Sequence, residues 1–176
     1  MKLFSVVFSV ALLSGCASSY CWKSSVPSDH RTVNVPTFRN ESGLQEMGAI
    51  ASRQLLREFQ REGTFKIASA DDAAVEIQGT IKSVSSSSDA YNRRAHRRYA
   101  SYIMKCTAEI TVVDKISGEV IVPMRSFTAE TTYAAGNDNT TSQRDASGRI
   151  ADVLARKIVD DVLRIKWNKK VSSNKE

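Results

Sequence analysis

The densest group of side chains able to do chemistry is a run of arginines in the middle of the chain. Arg93, Arg94, Arg97 and Arg98 lie within six residues, in a segment, 92–99, that contains no acidic residue. Guanidinium groups bind phosphate oxygens through two parallel hydrogen bonds. The run therefore predicts a site for a phosphorylated or otherwise anionic ligand, with a solvated loop between two strands as the alternative.

Other side-chain patterns do not indicate catalysis or metal binding. The two histidines are His30, ahead of the first predicted strand, and His96, among arginines that disfavour its protonation. The sequence contains no HExxH, GxSxG or phosphate-loop motif. The paired carboxylates at 71–72 and 160–161 are expected in a turn and on diverging positions of a helix. We therefore predict a protein that is not an enzyme, with no catalytic residues, metal or cofactor.

The N-terminus has the features of a secretion signal that ends at a cysteine. The apolar run 3–13 is too short to span a bilayer as a stable helix. Residues 13–16 (LSGC) resemble the lipobox of bacterial lipoproteins. That resemblance implies removal of the signal peptide 1–15, acylation (palmitate among the chains) of Cys16, and durable membrane anchoring. Because Ala17 rather than aspartate follows, it also implies the outer membrane.

The charge balance narrows the class of partner. The 176-residue chain carries a formal net charge of +6 and has a pI of about 9.3. A basic protein favours anionic partners. For an exported lipoprotein, phosphorylated lipid, lipopolysaccharide or an acidic protein surface fits better than nucleic acid.

Two cysteines remain once Cys16 is assigned to lipid. Cys21 and Cys106 could form a disulfide in an oxidising compartment. Cys106 also shares the strand phase of Met104, Ala108 and Ile110, which indicates a small buried thiol on the core face. The sequence leaves both interpretations open.

Hydrophobic periodicity predicts a strand at 31–38, with Pro36 at an edge, end or bulge, followed by a helix over about 43–62. Ser42 and Gln45 fit a capping box for this helix, and Gly63 fits its C-terminal stop.

Further strands are predicted at 64–69, 75–82 and 102–113, followed by a return strand from 120 that is bulged at Pro123. Ser142 and Asp145 are candidate caps of a second helix, whose apolar stripe runs over 150–165. The predicted fold is α+β, with two helices packed on one face of a four-stranded mixed or antiparallel sheet in a two-layer sandwich. The predicted organisation after the signal peptide is a tether over 16–30, one domain over 31–167 and a basic flexible tail over 168–176.

The order and spacing of several segments resemble one family. Residues 32–43 (TVNVPTFRNESG) look like the opening of the LPS-assembly lipoprotein family (LptE-like). The strand at 74–81, the hairpin formed by 114–120 and 127–133, and the closing helix at 150–167 are similar to later parts of that family. Together with the lipobox, the resemblance covers most of the mature chain.

The resemblance implies a non-enzymatic lipoprotein on the periplasmic face of the outer membrane. It implies a large β-barrel partner (LptD-like) and a role in delivering lipopolysaccharide to the cell surface. The arginine segment 92–99 would then contact phosphates of lipopolysaccharide or anionic groups of the barrel wall. The opening motif is also shared loosely by lipoprotein activators of peptidoglycan synthases and by curli-secretion channel proteins. A regulator or secretion-channel component is therefore the alternative.

Overall fold

The computed structural model describes residues 26–88, 100–135, 139–165 and 167. Within these residues the chain forms six strands, two α-helices and a short 3-10 turn at Ser28–His30. The strands and helices, in chain order, are β1 (Thr32–Asn34), β2 (Arg39–Asn40), α1 (Met47–Glu62), β3 (Lys66–Ile67), β4 (Val75–Ser88), β5 (Ala100–Asp114), β6 (Val120–Ala135) and α2 (Asn139–Arg164).

The strands make one mixed sheet in the order β3-β1-β4-β5-β6, and β2 also pairs with β4. β1 runs parallel to β3 and β4, β2 runs parallel to β4, and β4, β5 and β6 are antiparallel neighbours. The predicted α+β class with a mixed sheet and two helices is confirmed. The prediction of four strands is wrong, because the first strand is divided and the short β3 joins the sheet edge.

The predicted first strand is divided into β1 and β2 by one extra residue relative to β4. Asn34 pairs with Glu76, and Arg39 pairs with Thr80. The chain thus advances five residues on one side and four on β4, which is the count of a bulge. Pro36, which has no backbone donor for a ladder, lies in this gap as predicted.

Both helices and one face of the sheet contribute to a single hydrophobic core. The predicted stripe of α1 is buried, and so is that of α2. The strands supply alternate residues to the same cluster. Burial of each large side chain stabilises the fold by about 1.5–3 kcal/mol relative to leaving that side chain exposed. The main contributors are Met47, Leu55, Phe59, Ile77, Ile81, Met104, Ile110, Ile150, Leu154 and Ile158.

The end of α1 is as predicted, but the predicted capping box is wrong. Gly63 has φ +83°, and its amide donates to the Phe59 carbonyl at 3.0 Å. The helix begins at Met47 rather than near 43, with Glu46 as an N-cap that makes no side-chain cap bond. The Ser42 hydroxyl instead donates to Asn40 Oδ1 at 2.7 Å, because the preceding turn is organised around the Asn40 amide.

The predicted caps of α2 are also wrong. Ser142 and Asp145 both lie inside the helix, which already includes Asn139. The apolar stripe fixed the part of the helix that packs on the core, whereas the first turns extend beyond the stripe and carry polar side chains. Periodicity therefore located the helix but not its beginning.

The predicted bulge near Pro123 is confirmed by the pairing of β5 with β6. Ile110 pairs with Arg125 and Val112 pairs with Val122, so three residues of β6 oppose two of β5. The outer edge of β6 is partly covered by α2. Lys157 Nζ donates to the Thr128 carbonyl at 2.6 Å, and an Arg149 guanidinium nitrogen donates to the Thr132 carbonyl at 3.3 Å.

The central strands are long enough to separate two functional regions. β4 and β5 pair continuously from Val75 opposite Asp114 to Ser88 opposite Tyr102, with one irregularity after Ile81. Thirteen steps along β4 correspond to about 43 Å. We call the end at Val75 and Asp114 the tether end, since the chain arrives there, and the end at Ser88 the arginine end.

Candidate functional site

The predicted site residues fall mainly outside the described part of the chain. Arg93, Arg94, Arg97 and Arg98 belong to the connection 89–99, and Cys16 and Cys21 precede Val26, so nothing is described of their structure. The flanking strands are described, and they confirm that this connection joins β4 to β5. The arginines are thus carried by the chain that leaves the sheet at the arginine end.

The arginine end is lined by small polar side chains and two stacked aromatic rings. Residues 85–88, all serines, are exposed on the last part of β4. On the neighbouring strands, the rings of Tyr102 and Tyr133 stack with centroids 5.4 Å apart and planes inclined by 22°. This end offers the exposed hydroxyl groups of residues 85–88, with a packed tyrosine pair on the neighbouring strands.

A buried polar cluster occupies the tether end. His30 is 2% exposed, although the sequence assigned it to the tether. Its Nε2 lies 3.2 Å from Asp114 Oδ2, in the turn between β5 and β6. Its Nδ1 lies 3.1 Å from Asp29 Oδ1, a charge contact without the alignment of a hydrogen bond. The ring of Trp167 lies beside the imidazole, 6.3 Å between centroids.

Residues ahead of 31, which the sequence assigned to the tether, also pack against the core. Val26 is also 2% exposed and belongs to the core cluster. Its carbonyl accepts a hydrogen bond from Arg31 Nε at 3.3 Å, which closes the short 3-10 turn against the sheet. The signal that could have revealed this was the position of His30 immediately before a strand, but only tertiary contacts show what it packs against.

The two carboxylates control the protonation of the buried imidazole. Burial alone would lower the pKa of His30, but Asp29 and Asp114 outweigh it and raise that pKa above its ordinary 6.5. Burial alone would raise the pKa of Asp114. Hydrogen bonds from the Ser117 hydroxyl, the Ile116 amide and His30 together lower that pKa below 3.8. Both shifts favour the charged forms of His30 and Asp114 and so strengthen the contact between the start of the domain and the end of β5.

This cluster is structural rather than catalytic. The Ser117 hydroxyl donates to Asp114 Oδ2 at 2.8 Å, so the carboxylate lies between the serine and the histidine. A nucleophilic serine needs the histidine, not the carboxylate, as its neighbour. The arrangement thus fixes the turn and does not activate the hydroxyl.

The segment that carries the family-like motif also has a structural role. A Cβ on Gly79 would lie 2.6 Å from the Phe38 ring, and one on Gly48 would lie 2.4 Å from the Phe38 carbonyl oxygen. Ser52 Oγ accepts the Phe38 amide at 2.8 Å. The side-chain amide of Asn40 donates to the Leu44 carbonyl at 2.7 Å. The motif thus brings α1 close to β4.

An open groove lies beside this segment, between residues 35–37 and the first turns of α1. It has a volume of about 680 Å³ and apolar walls that include Ala49 and Leu56. Arg53, Arg144 and Glu46 lie at its rim. The sequence analysis did not anticipate this groove, because Arg144 comes from α2, about a hundred residues after the motif segment 32–43.

Cys106 lies on the core face of β5, as its phase indicated. The side chain is fully buried, and burial raises the pKa of its thiol to about 11. Within the described residues the thiol is free, and its predicted partner Cys21 lies outside them. The disulfide stays a prediction.

Across the described residues there is no group of three or more His, Cys, Asp or Glu side chains placed to hold a metal ion. The same part of the chain contains no helix with the length and apolar character needed to cross a membrane.

Together, these elements define a small α+β domain with one mixed sheet. The model of the lipopolysaccharide-assembly family LptE matches residues 31–162, which is most of the chain. The chain belongs to this family, as the sequence resemblance suggested. No curated protein matches the chain.

Solved structures share the fold at low sequence identity. A hypothetical protein from Chlamydia trachomatis is 15% identical, with a TM-score of 0.55, over 77% of this chain and 96% of that chain. A predicted lipoprotein from Caulobacter crescentus is 16% identical, with a TM-score of 0.52, over 77% of this chain and 91% of that chain. These likenesses concern the fold alone.

Proposed function

We propose that the protein is an outer-membrane lipoprotein, acylated on Cys16, that partners a large LptD-like β-barrel in delivering lipopolysaccharide to the cell surface. The observation that carries this proposal is the family match over residues 31–162. The net charge of +6 and the lipobox at residues 13–16 support it. The protein acts by binding and positioning its partners.

The separation of the two ends of the sheet supports a division of labour. The tether end receives the chain from Cys16, and the arginine end lies about 43 Å away along β4. The anchor can hold one end at the membrane while Arg93, Arg94, Arg97 and Arg98 are presented to anionic ligands well away from it. The arginines would bind the phosphates of lipopolysaccharide or acidic groups on the barrel wall.

The first experiment is affinity purification of the tagged, lipidated protein from outer membranes in mild detergent, with identification of co-purifying proteins by mass spectrometry. We expect a large β-barrel in stoichiometric amount that remains through washing. The matched control is Cys16→Ser, which leaves the folded domain unchanged but removes the acylated residue. Recovery of a peptidoglycan synthase, or of a ring of the protein itself, would favour the alternative function.

A second experiment tests the ligand directly. The full-length protein is titrated with purified lipopolysaccharide at several salt concentrations. Binding that weakens with salt supports phosphate contacts, because exposed charges are screened beyond about 10 Å at 0.1 M. Salt-independent binding, or none, would contradict the proposed ligand while leaving the barrel partner to the first experiment.

A further inference from the structure

The described chain has four exposed large hydrophobic residues, Ile67, Ile116, Val120 and Met124, with 37%, 63%, 53% and 67% of their surfaces exposed. Three of them, Ile116, Val120 and Met124, lie in the β5–β6 turn or on the first residues of β6. Single exposed apolar residues are ordinary on protein surfaces, but a local concentration of them marks a contact surface. We call Ile116, Val120 and Met124 the tether-end patch.

The strand register separates Ile67 from the other three residues. Ile67 pairs with Val33, which pairs with Val75, which pairs with Asp114, so Ile67 lies at the far edge of the row that ends at Asp114. Ile116 follows Asp114 by two residues, and its amide donates to Asp114 Oδ1 at 2.8 Å.

The other two members continue the patch along the start of β6. Val120 pairs with Val113 in the next row of the sheet. Met124 lies in the bulge between the paired residues Val122 and Arg125. Val122 and Met124 are two residues apart and would share a face in a regular strand. The bulge changes this alternation, so Met124 is exposed whereas Val122 is buried.

The chain also enters and leaves the fold at this end. His30 is held 3.2 Å from Asp114, and Trp167 packs beside His30. Val26 is ten chain steps after Cys16, and ten steps span at most about 35 Å when fully extended. An acyl chain on Cys16 therefore holds Val26, and with it the tether end, within about that distance of the membrane.

Charges of both signs surround the patch, so apolar contact is its main attraction to a membrane surface. Lys66 and Lys115 lie at this end, but so do Asp71, Asp72 and Glu119, and all five are exposed. Lys115 Nζ also donates to the Ala70 carbonyl. The basic residues Lys169 and Lys170 follow Trp167 in sequence and add attraction for an anionic surface.

We infer that the tether-end patch rests in the interfacial region of the membrane that holds the lipid anchor. The inference rests on the proposed acylation of Cys16, and the occupant of the patch is the lipid surface itself. Ile116, Val120 and Met124 add apolar contact to that of the acyl chains, and they orient the domain with β4 directed away from the membrane. Lipid anchors alone fix position but not orientation.

The test places an environment-sensitive fluorophore on the patch of the full-length, lipidated protein. The variant Ile116→Cys is made in a Cys21→Ser background and labelled, since the buried Cys106 thiol, with a pKa of about 11, does not react. The protein is reconstituted on phosphatidylethanolamine–phosphatidylglycerol vesicles, with and without lipids brominated on their acyl chains. The matched control is Ser87→Cys, an exposed position at the arginine end.

We expect a blue-shifted emission and at least twofold quenching by brominated lipid at position 116, with neither change at position 87. Val120→Cys provides a second reporter and should behave like 116. Vesicle flotation in the same samples reports the anchor separately. Flotation without a spectral change at 116 and 120 would overturn the inference and leave the anchor standing. Failure of the lipidated protein to float would overturn both, and equal changes at 87 and 116 would overturn the orientation.

Discussion

At the tether end of the sheet, side chains from four separate parts of the chain meet, whereas towards the arginine end only β4, β5 and β6 of the described strands continue. His30, Phe65, Asp114 and Trp167 are all buried, and they come from positions far apart in sequence. At the other end residues 85–88 are exposed serines. The difference suggests that one end is held rigid by packing while the other is left available for contact with partners.

Replacing the central aromatic residue of each end should give the largest contrast. Trp167 is fully buried, so Trp167→Ala should lower the free energy of unfolding by about 3–5 kcal/mol. Tyr102 is only half-buried, and its stacking on Tyr133 is worth about 0.5–1.5 kcal/mol, so Tyr102→Ala should cost less than half as much. Urea denaturation of both variants measures the two losses. Equal losses would mean that the ends are equally packed.

The charged pair at the tether end should make stability depend on pH. His30→Gln should cost about 1.5–3 kcal/mol at pH 5–6. Because the folded-state pKa of His30 lies above 6.5, the contribution is complete below 6.5 and disappears as pH rises through the folded value. The pKa of Asp114 is lowered, so its contribution is complete above 3.8 and is lost as pH falls through its folded value.

The measurement is the difference in unfolding free energy between wild type and His30→Gln from pH 5 to pH 9. We expect the difference to shrink as the pH rises. A difference that stays constant over this range would show that His30 contributes by packing alone.

Two helical glycines distinguish tight from open packing. A Cβ at Gly48 would meet the Phe38 carbonyl oxygen at 2.4 Å, so Gly48→Ala should destabilise by about 1–3 kcal/mol. A Cβ at Gly148, in the first half of α2, meets nothing within 4 Å. Gly148→Ala should therefore stabilise by up to about 1 kcal/mol through helix propensity. Thermal melts of the two variants should shift in opposite directions, and shifts in one direction would contradict this packing.

Replacing the four arginines should have the smallest effect on stability and the largest effect on lipopolysaccharide binding. Changing Arg93, Arg94, Arg97 and Arg98 to glutamine should alter the free energy of unfolding by less than about 0.5 kcal/mol. The same variant should bind lipopolysaccharide more weakly and with a flatter salt dependence. Unchanged binding by the folded variant would remove the arginines from the proposed site. A large loss of stability would mean that they belong to the fold.

The sequence predicted the elements whose apolar residues recur regularly. The stripe of α1 from Met47 to Phe59, the stop at Gly63 and the bulge near Pro123 all depend on local patterns, and they are confirmed. Both helix beginnings were misplaced, because Ser42 binds Asn40 and because α2 extends ahead of its apolar stripe. A polar side chain with several local partners gives the same sequence signal as a cap.

The candidate site divides in the same way. Arginine density could be read directly from residues 92–99, because it is a local property of composition. The contact between His30 and Asp114 joins residues 84 positions apart. It forms because β1, which follows His30, and β5, which ends at Asp114, both pair with β4. The tether-end patch depends on the bulge that exposes Met124 and on the contact of Asp114 with His30, which brings the end of β5 beside the start of the domain. Contacts of this kind are set by tertiary packing, which a single sequence does not display.

The coverage of β6 by α2 limits which other chains can pair with this edge of the sheet. A 16-residue edge strand presents backbone acceptors that other extended chains could join. Lys157 and Arg149 already occupy the carbonyls of Thr128 and Thr132. An incoming strand would have to displace two charged donors before it could extend the sheet. The two charged donors therefore oppose pairing of this edge with strands of other chains, including further copies of the protein.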